Sequence, residues 1–416
     1  MNTRVAGNRT ALTVVTTIFF MWGFITALND VLIPHLKSVF TLNYTEVMLV
    51  LFTFFGAYFL MSLPSGKVVS RLGYRLSIVA GLVVTGIGAL LFLPAAMAQS
   101  YPLFLLAFFV LASGITLLQV AANPYVSLLG PPRLASSRLN LAQALNSLGT
   151  TIAPKLGGLL ILSVAVLGSA ELAKLPAAQQ AAYKLQQAHL VQGPYLGIAV
   201  VLFALALIVW LFHLPAIEGA DERADDARHT FFDALAHARV WFGMIAIFVY
   251  VGAEVSIGSF MINYISLPGI GDMPEARAAG FVSLYWGGAM IGRFAGSALL
   301  TRIDARKLLC AFAIVAGLLV LTTMLTHGHV AMWSVIAIGL FNSIMFPNIF
   351  TLGIEKFGPL AGKVSSLLVM AIVGGAVIPL AQGALADRIG VHHAFVLPLL
   401  CYAYIVFYSV RGSRVA

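Results

Sequence analysis

Apolar runs long enough to cross a bilayer recur along the whole of this sequence, and short polar loops separate them. They fall at about 11–36, 45–67, 76–97, 102–129, 139–166, 194–214, 241–266, 277–300, 307–326, 330–353, 363–386 and 393–411. A spanning helix needs about 20 mostly apolar residues. Lipid offers no partner to an unpaired backbone group, so helices are the expected spanning element. The runs are too long and too evenly apolar for the alternating strands of an outer-membrane barrel. Composition agrees: 60% of the 416 residues are hydrophobic and only 9% are charged, against roughly 25% charged in soluble domains. That excludes a soluble enzyme, a nucleic-acid binder and a disordered chain. The first run is too long for a signal peptide and contains Asp30, so it reads as a span and not as a cleaved leader.

The basic residues orient the chain. With the N-terminus in the cytoplasm, 17 of the 24 Lys and Arg residues fall inside and five outside. The opposite topology inverts this bias, so both termini are expected in the cytoplasm. The net charge of +9 therefore needs no acidic partner. One long charged loop, 215–240, holds Glu218, Asp221, Glu222, Asp225, Asp226 and Asp233 against three arginines. It reads as a solvated linker between residues 1–214 and 241–416, each with six spans. A second polar stretch, 167–193, rich in Ala and Gln, is expected to form a short surface helix.

The two halves echo each other. Ser70-Arg71-Leu72-Gly73-Tyr74-Arg75 follows span two, and Thr301-Arg302-Ile303-Asp304-Ala305-Arg306 follows span eight. Asp30 in span one is matched by Glu254 in span seven, and Pro154 in span five by Pro379 in span eleven. Two parallel six-helix halves around a central cavity are a transporter architecture.

Four charged residues lie well inside spans: Asp30, Lys155, Glu254 and Arg293. A charge at the bilayer centre costs at least about 2.5–3.5 kcal/mol on insertion scales, so such residues face the interior and often serve transport. Asp30 and Glu254 are candidate cation carriers, because desolvation raises the pKa of a lone carboxyl towards neutrality. The alternative for each is a structural ion pair. Arg293, near the cytoplasmic end of its span, is expected to latch the halves together. Lys155 either pairs with an acid or snorkels.

Amides are the second signal. Gln119 and Asn123 are four apart on span four, and Gln143 and Asn146 three apart on span five, so each pair shares a helix face. Trp22, Thr26 and Asn29 form a stripe on span one beside Asp30. Amides both donate and accept, and an aromatic face suits the C–H surface of a sugar ring. The set fits an uncharged polyhydroxylated solute; the competing reading is amide bonding between helices. Glycine pairs such as Gly287-Gly288 and Gly374-Gly375 permit close helix approach. Asn123-Pro124 and Pro347-Asn348 mark breaks in spans four and ten.

Catalytic signatures are missing: no His-Glu-x-x-His, phosphate loop or nucleophile elbow is present, and no enzymatic activity is expected. His327, His329, His392 and His393 have too few companion ligands for a metal site. Cys310 and Cys401 lie in apolar stretches and suggest no disulfide framework.

Longer motifs carry a resemblance. Phe20-Met21-Trp22-Gly23-Phe24 leads into Leu28-Asn29-Asp30-Val31-Leu32-Ile33-Pro34. Gln119-Val120-Ala121-Ala122-Asn123-Pro124-Tyr125 is followed by Arg138-Leu139-Asn140-Leu141-Ala142-Gln143-Ala144-Leu145-Asn146-Ser147. The second half has Tyr250-Val251-Gly252-Ala253-Glu254-Val255-Ser256 and Gly339-Leu340-Phe341-Asn342-Ser343-Ile344-Met345-Phe346-Pro347. These resemble the fucose–proton symporter family of the major facilitator superfamily, in particular its bacterial glucose/galactose transporters, over nearly the whole chain.

The resemblance implies an all-helical membrane protein with the major facilitator fold, twelve spans in two pseudo-symmetric halves. It also implies hexose uptake across a bacterial inner membrane, driven by a cation gradient. It makes Asp30 the proton-coupling acid and turns Trp22, Gln143 and Asn146 towards the sugar. Asn29, Gln119 and Asn123 complete the expected substrate set, and Arg71, Arg75 and Arg293 the structural or gating set. Two departures stand out. The fucose branch carries an acid where this chain has Gln119, so Asp30 works alone, or Glu254 shares the task, or the coupling ion is Na+ in place of H+. The superfamily loop signature matches Gly66 to Arg75, but Ser70 replaces its acid; the closer match, Gly383 to Gly390 with Asp387 and Arg388, falls outside. The expected partners are a hexose, the coupling cation and the lipid bilayer, with no cofactor and no nucleic acid, and the protein is expected to be monomeric. The rival readings are an exporter on the same fold and a sugar sensor that does not transport.

Overall fold

The structure is a computed structural model that describes residues 11–28, 44–160, 174–211 and 230–415. Asn29, Asp30 and most of the 215–240 linker lie outside the described residues. Among those described, all the regular structure is helical. Among the described residues of the first half, the helices are α1 (Ala11–Leu28), α2 (Tyr44–Met97), α3 (Tyr101–Leu128), α4 (Ala135–Leu160) and α5 (Ala177–Leu211). The second opens with a short α6 (Phe231–Leu235), then α7 (Ala238–Ser266), α8 (Glu275–Leu299) and α9 (Ala305–Leu325). It ends with α10 (Gly328–Asn342), α11 (Met345–Ile354), α12 (Ala361–Met370), α13 (Gly374–Ile389) and α14 (Val396–Val410).

Each of the twelve expected runs is largely helical where it is described, but the joints differ. Runs two and three are one helical path, bent at Gly73, whose φ of 74° and ψ of 172° leave the helical region. The expected loop is thus a single-residue kink, and glycine is the residue that tolerates positive φ there. Run ten is broken after Asn342, so that α10 and α11 meet at Ser343 and Ile344. The Ala- and Gln-rich stretch does form a helix from Ala177, but it runs straight into the span to Leu211. Ala and Gln are good helix formers, and nothing before Pro194 interrupts them.

Nine stretches among the described residues are long and apolar enough to cross a membrane. One of them, Phe52–Met97, at 46 residues, holds two spans. Helices α4 and α8 are long enough but are not among the nine. They are polar: α4 carries Asn140, Gln143, Asn146, Ser147, Thr150 and Thr151, and α8 carries Arg293 and Ser297. These two helices pack on each other across the halves, so their polar faces meet protein and not lipid.

Close approach of α1 and α4 depends on two glycines. A Cβ on Gly23 would sit 2.1 Å from the Asn146 carbonyl oxygen, and one on Gly149 2.2 Å from that of Phe20. Backbone cannot yield at such distances, so α1 and α4 touch along bare main chain. At the end of α3, the Arg138 guanidinium donates to the carbonyls of Val126, Ser127 and Pro131, satisfying groups the helix leaves unpaired. That brace sets the tight α3–α4 turn.

Candidate functional site

Helices α1 to α4 bring most of the expected first-half residues into one buried region. The Gln119 amide of α3 donates to the Tyr58 hydroxyl of α2 at 2.6 Å, and that hydroxyl also meets the Trp22 side chain of α1. Gln119 is 3% exposed and its Oε1 has no hydrogen-bond partner. Both polar atoms of Asn123 and the Nε2 of Gln143 are likewise buried and unpaired. Leaving such a group unsatisfied costs about 1–3 kcal/mol. Asn146 differs: its Nδ2 donates to the Phe19 carbonyl at 2.9 Å. That nitrogen joins helices, as the competing reading of the amides expects. Asn29 and Asp30, which follow Leu28 in the chain, lie outside the described residues.

A second buried network surrounds Glu254. The Tyr250 hydroxyl lies 2.8 Å from Glu254 Oε1 and 3.1 Å from the Asn342 carbonyl. Asn342 Nδ2 donates to the Tyr285 hydroxyl at 2.7 Å, and its Oδ1 accepts from Tyr402 at 2.6 Å. Arg293 faces Glu254 at 3.7 Å, and both side chains are nearly buried. Glu254 is therefore ion-paired in this state.

Hydrogen bonds join the two halves along a seam. Ser136 meets Thr351 at 2.6 Å, and Asn140 donates to Asn348 Oδ1 at 2.9 Å. Ser137 donates to the Ser297 carbonyl at 2.7 Å, while Ser297 returns a bond to the Ser137 carbonyl at 2.9 Å. Ser365 donates to the Val120 carbonyl at 3.0 Å. All lie towards the end that carries the 130–135, 300–305 and 355–361 connections. Towards the opposite end, a cavity of about 470 Å³ separates Phe52 of α2 from α7 and α13 and is lined by Ser259, Asn263 and Asp387. Among the described residues, the hydrogen bonds that join the halves are thus gathered at one end.

The remaining arginines divide. Arg75 donates to the Trp210 carbonyl on α5, inside the first half, and Arg71 is exposed. Within the second half, Arg239 and Arg306 both reach the Glu355 carboxylate. Partial burial pushes the pKa of that carboxyl up, but the two guanidiniums outweigh it and hold it below the ordinary carboxylate value. Sequence reasoning missed Tyr58, Tyr250, Tyr285 and Tyr402, because a tyrosine in an apolar run reads as packing. It also missed the polar seam residues, although Asn140 and Asn348 stand within the segments it singled out. Among the described residues no group of His, Cys, Asp or Glu could hold a metal ion, and both cysteines are free.

Comparisons with known proteins agree with this architecture. The profile described as Major Facilitator Superfamily matches residues 13–379. The glucose/galactose transporter of Brucella abortus is 52% identical, over 97% of this chain and 94% of that protein. The L-fucose-proton symporter of Escherichia coli is 36% identical over 96% and 92% of the two chains. A crystal structure of the transporter FucP in the outward conformation superposes with a TM-score of 0.91 at 33% identity, covering 97% of this chain and 98% of that one.

Proposed function

The chain belongs to the major facilitator superfamily, a family of multi-pass membrane transporters and not of enzymes, and we propose that it imports a hexose of the glucose/galactose type by cation-coupled symport. The proton is the proposed ion and Na+ the alternative. Residues 1–214 and 241–416 are the two halves that rock about a central site, joined by the 215–240 linker. The membrane is the bacterial plasma membrane, with both termini in the cytoplasm. In that orientation the hydrogen-bonded seam closes the cytoplasmic end.

One observation carries the substrate class. Buried amide atoms of Gln119, Asn123 and Gln143 lack partners, and Gln119 sits beside Tyr58, which also meets Trp22; a sugar supplies hydroxyls that both donate and accept. Asn146 lies on α4 with Gln143, and Asn29 is assigned to the same set from the sequence. The 52% identity to a protein named for glucose and galactose supports the choice of hexose. Asp30 is assigned the cation, because it is the acid of span one in the motif shared with the symporters. Tight coupling requires that sugar and cation favour the same conformations.

Uptake of labelled glucose into proteoliposomes, under an imposed pH or Na+ gradient and with competing sugars, tests the reading. Accumulation above the outside concentration, driven by the pH gradient and blocked by galactose, is expected. Accumulation under the Na+ gradient alone moves the ion assignment. Saturable binding without flux overturns the importer in favour of a sensor.

A further inference from the structure

Arg293 divides its guanidinium among three helices. Its Nε donates to the Ser343 carbonyl at the α10–α11 break, at 3.2 Å. One terminal nitrogen donates to the Ser147 hydroxyl of α4, and the other lies 3.7 Å from the Glu254 carboxylate of α7. Ser343 and Glu254 belong to the second half, and Ser147 belongs to the first. Ser147 also donates to the Gln143 carbonyl at 3.1 Å and follows Asn146 directly in the chain. A cation whose charge is balanced in one half thus holds the helix that carries two proposed sugar amides of the other.

The surroundings fix the carboxylate and leave the serine contact free to change. Glu254 is held by Tyr250, and Tyr250, Tyr285 and Tyr402 all converge on Asn342. None of these bonds crosses the seam. Separating the halves at this end parts Arg293 from a neutral hydroxyl and leaves the ion pair whole. Opening therefore costs a hydrogen bond and never strands a charge in the bilayer, which would be far more costly. Lysine could not substitute, since a single ammonium lacks the planar fork that reaches three acceptors in different directions.

We infer that Arg293 is a positioning residue that links the sugar-facing helix α4 to closure of the seam, with Glu254 as its fixed counter-ion. Sugar engaging Gln143 and Asn146 changes the pose of Ser147 and so the strength of the tie. Only this link to the sugar rests on the proposed function; the tie itself does not.

The full chain in lipid nanodiscs tests both parts. With Cys310→Ala and Cys401→Ala as background, Ser137→Cys at the seam reports opening through its rate of labelling by N-ethylmaleimide. Ser147→Ala and Arg293→Lys are each expected to raise that rate about fivefold or more and to remove its response to glucose. Ser147→Thr, which keeps the hydroxyl, is expected to restore both. A rate in Ser147→Ala within twofold of the background overturns the tie, even if glucose still slows or speeds labelling. A faster rate in Ser147→Ala with no glucose response in the background supports the tie and counts against the hexose reading. Failure of Ser147→Thr to restore the rate assigns the effect to packing and overturns the inference.

Discussion

Gln143 shows how a single residue separates binding from structure. Its Nε2 has no partner within the protein, so Gln143→Leu removes nothing that folding uses. We expect unchanged yield and unchanged or higher thermal stability, with a rise of about tenfold in KM for the sugar, the effect of losing one hydrogen bond of about 1.4 kcal/mol. A variant that unfolds while its KM stays the same refutes this role. Asp30→Asn is expected to abolish accumulation against a gradient but keep counterflow; uphill accumulation by that variant moves coupling to Glu254. At this scale the sequence was informative wherever polarity was out of place. Charges and amides in apolar runs announce themselves, and Gln119, Asn123, Gln143, Glu254 and Arg293 all lie buried or nearly so. Tyrosine does not announce itself, since its ring is at home in lipid and only the fold shows where its hydroxyl points.

Among the elements, the contact of α1 with α4 is the sharpest constraint. Gly149→Ala places a methyl group against the Phe20 backbone, and we expect a clear drop in melting temperature in detergent and loss of transport. Gly193→Ala, with nothing within 4 Å, should be neutral or slightly stabilising, because alanine is the better helix former. Equal melting temperatures for the two variants contradict the close packing. Helix existence was legible from run length alone, since a bilayer demands it. Joints were less so: the polar gap around Gly73 reads as a loop yet is only a bend in one helical path, and the break after Asn342 leaves no gap in hydropathy. The low apolarity of α4 and α8 was visible, but its cause, mutual packing across the halves, required the fold.

Over the whole molecule, the seam sets which end is closed. Ser137 and Ser297 bring their hydroxyl oxygens to 3.4 Å. Oxidation of Ser137→Cys paired with Ser297→Cys, in the background without native cysteines, is expected to stop transport, and reduction to restore it. Transport that continues through the crosslinked protein contradicts alternating access through this seam. The Glu355 brace has a pH dependence of definite sign. Its carboxyl titrates below its ordinary value of 4.5 in the folded protein. Its contribution is therefore fully present above that ordinary value and is lost as pH falls through the depressed one. Melting curves of Glu355→Gln and the parent should differ at neutral pH and converge in strong acid; a gap that persists there contradicts the ion-pair origin.

By itself the sequence determined the membrane setting, the helices, their order and the buried polar residues. These follow from the thickness of the bilayer and the cost of charge within it, which act on each segment alone. Tertiary structure decided how those residues are partnered. Whether Asn146 serves a neighbouring backbone, whether Glu254 stands alone or faces Arg293, and which end of the molecule is closed all depend on residues that lie on different helices, far apart in the chain. Hydropathy, a property of single segments, cannot encode such distances.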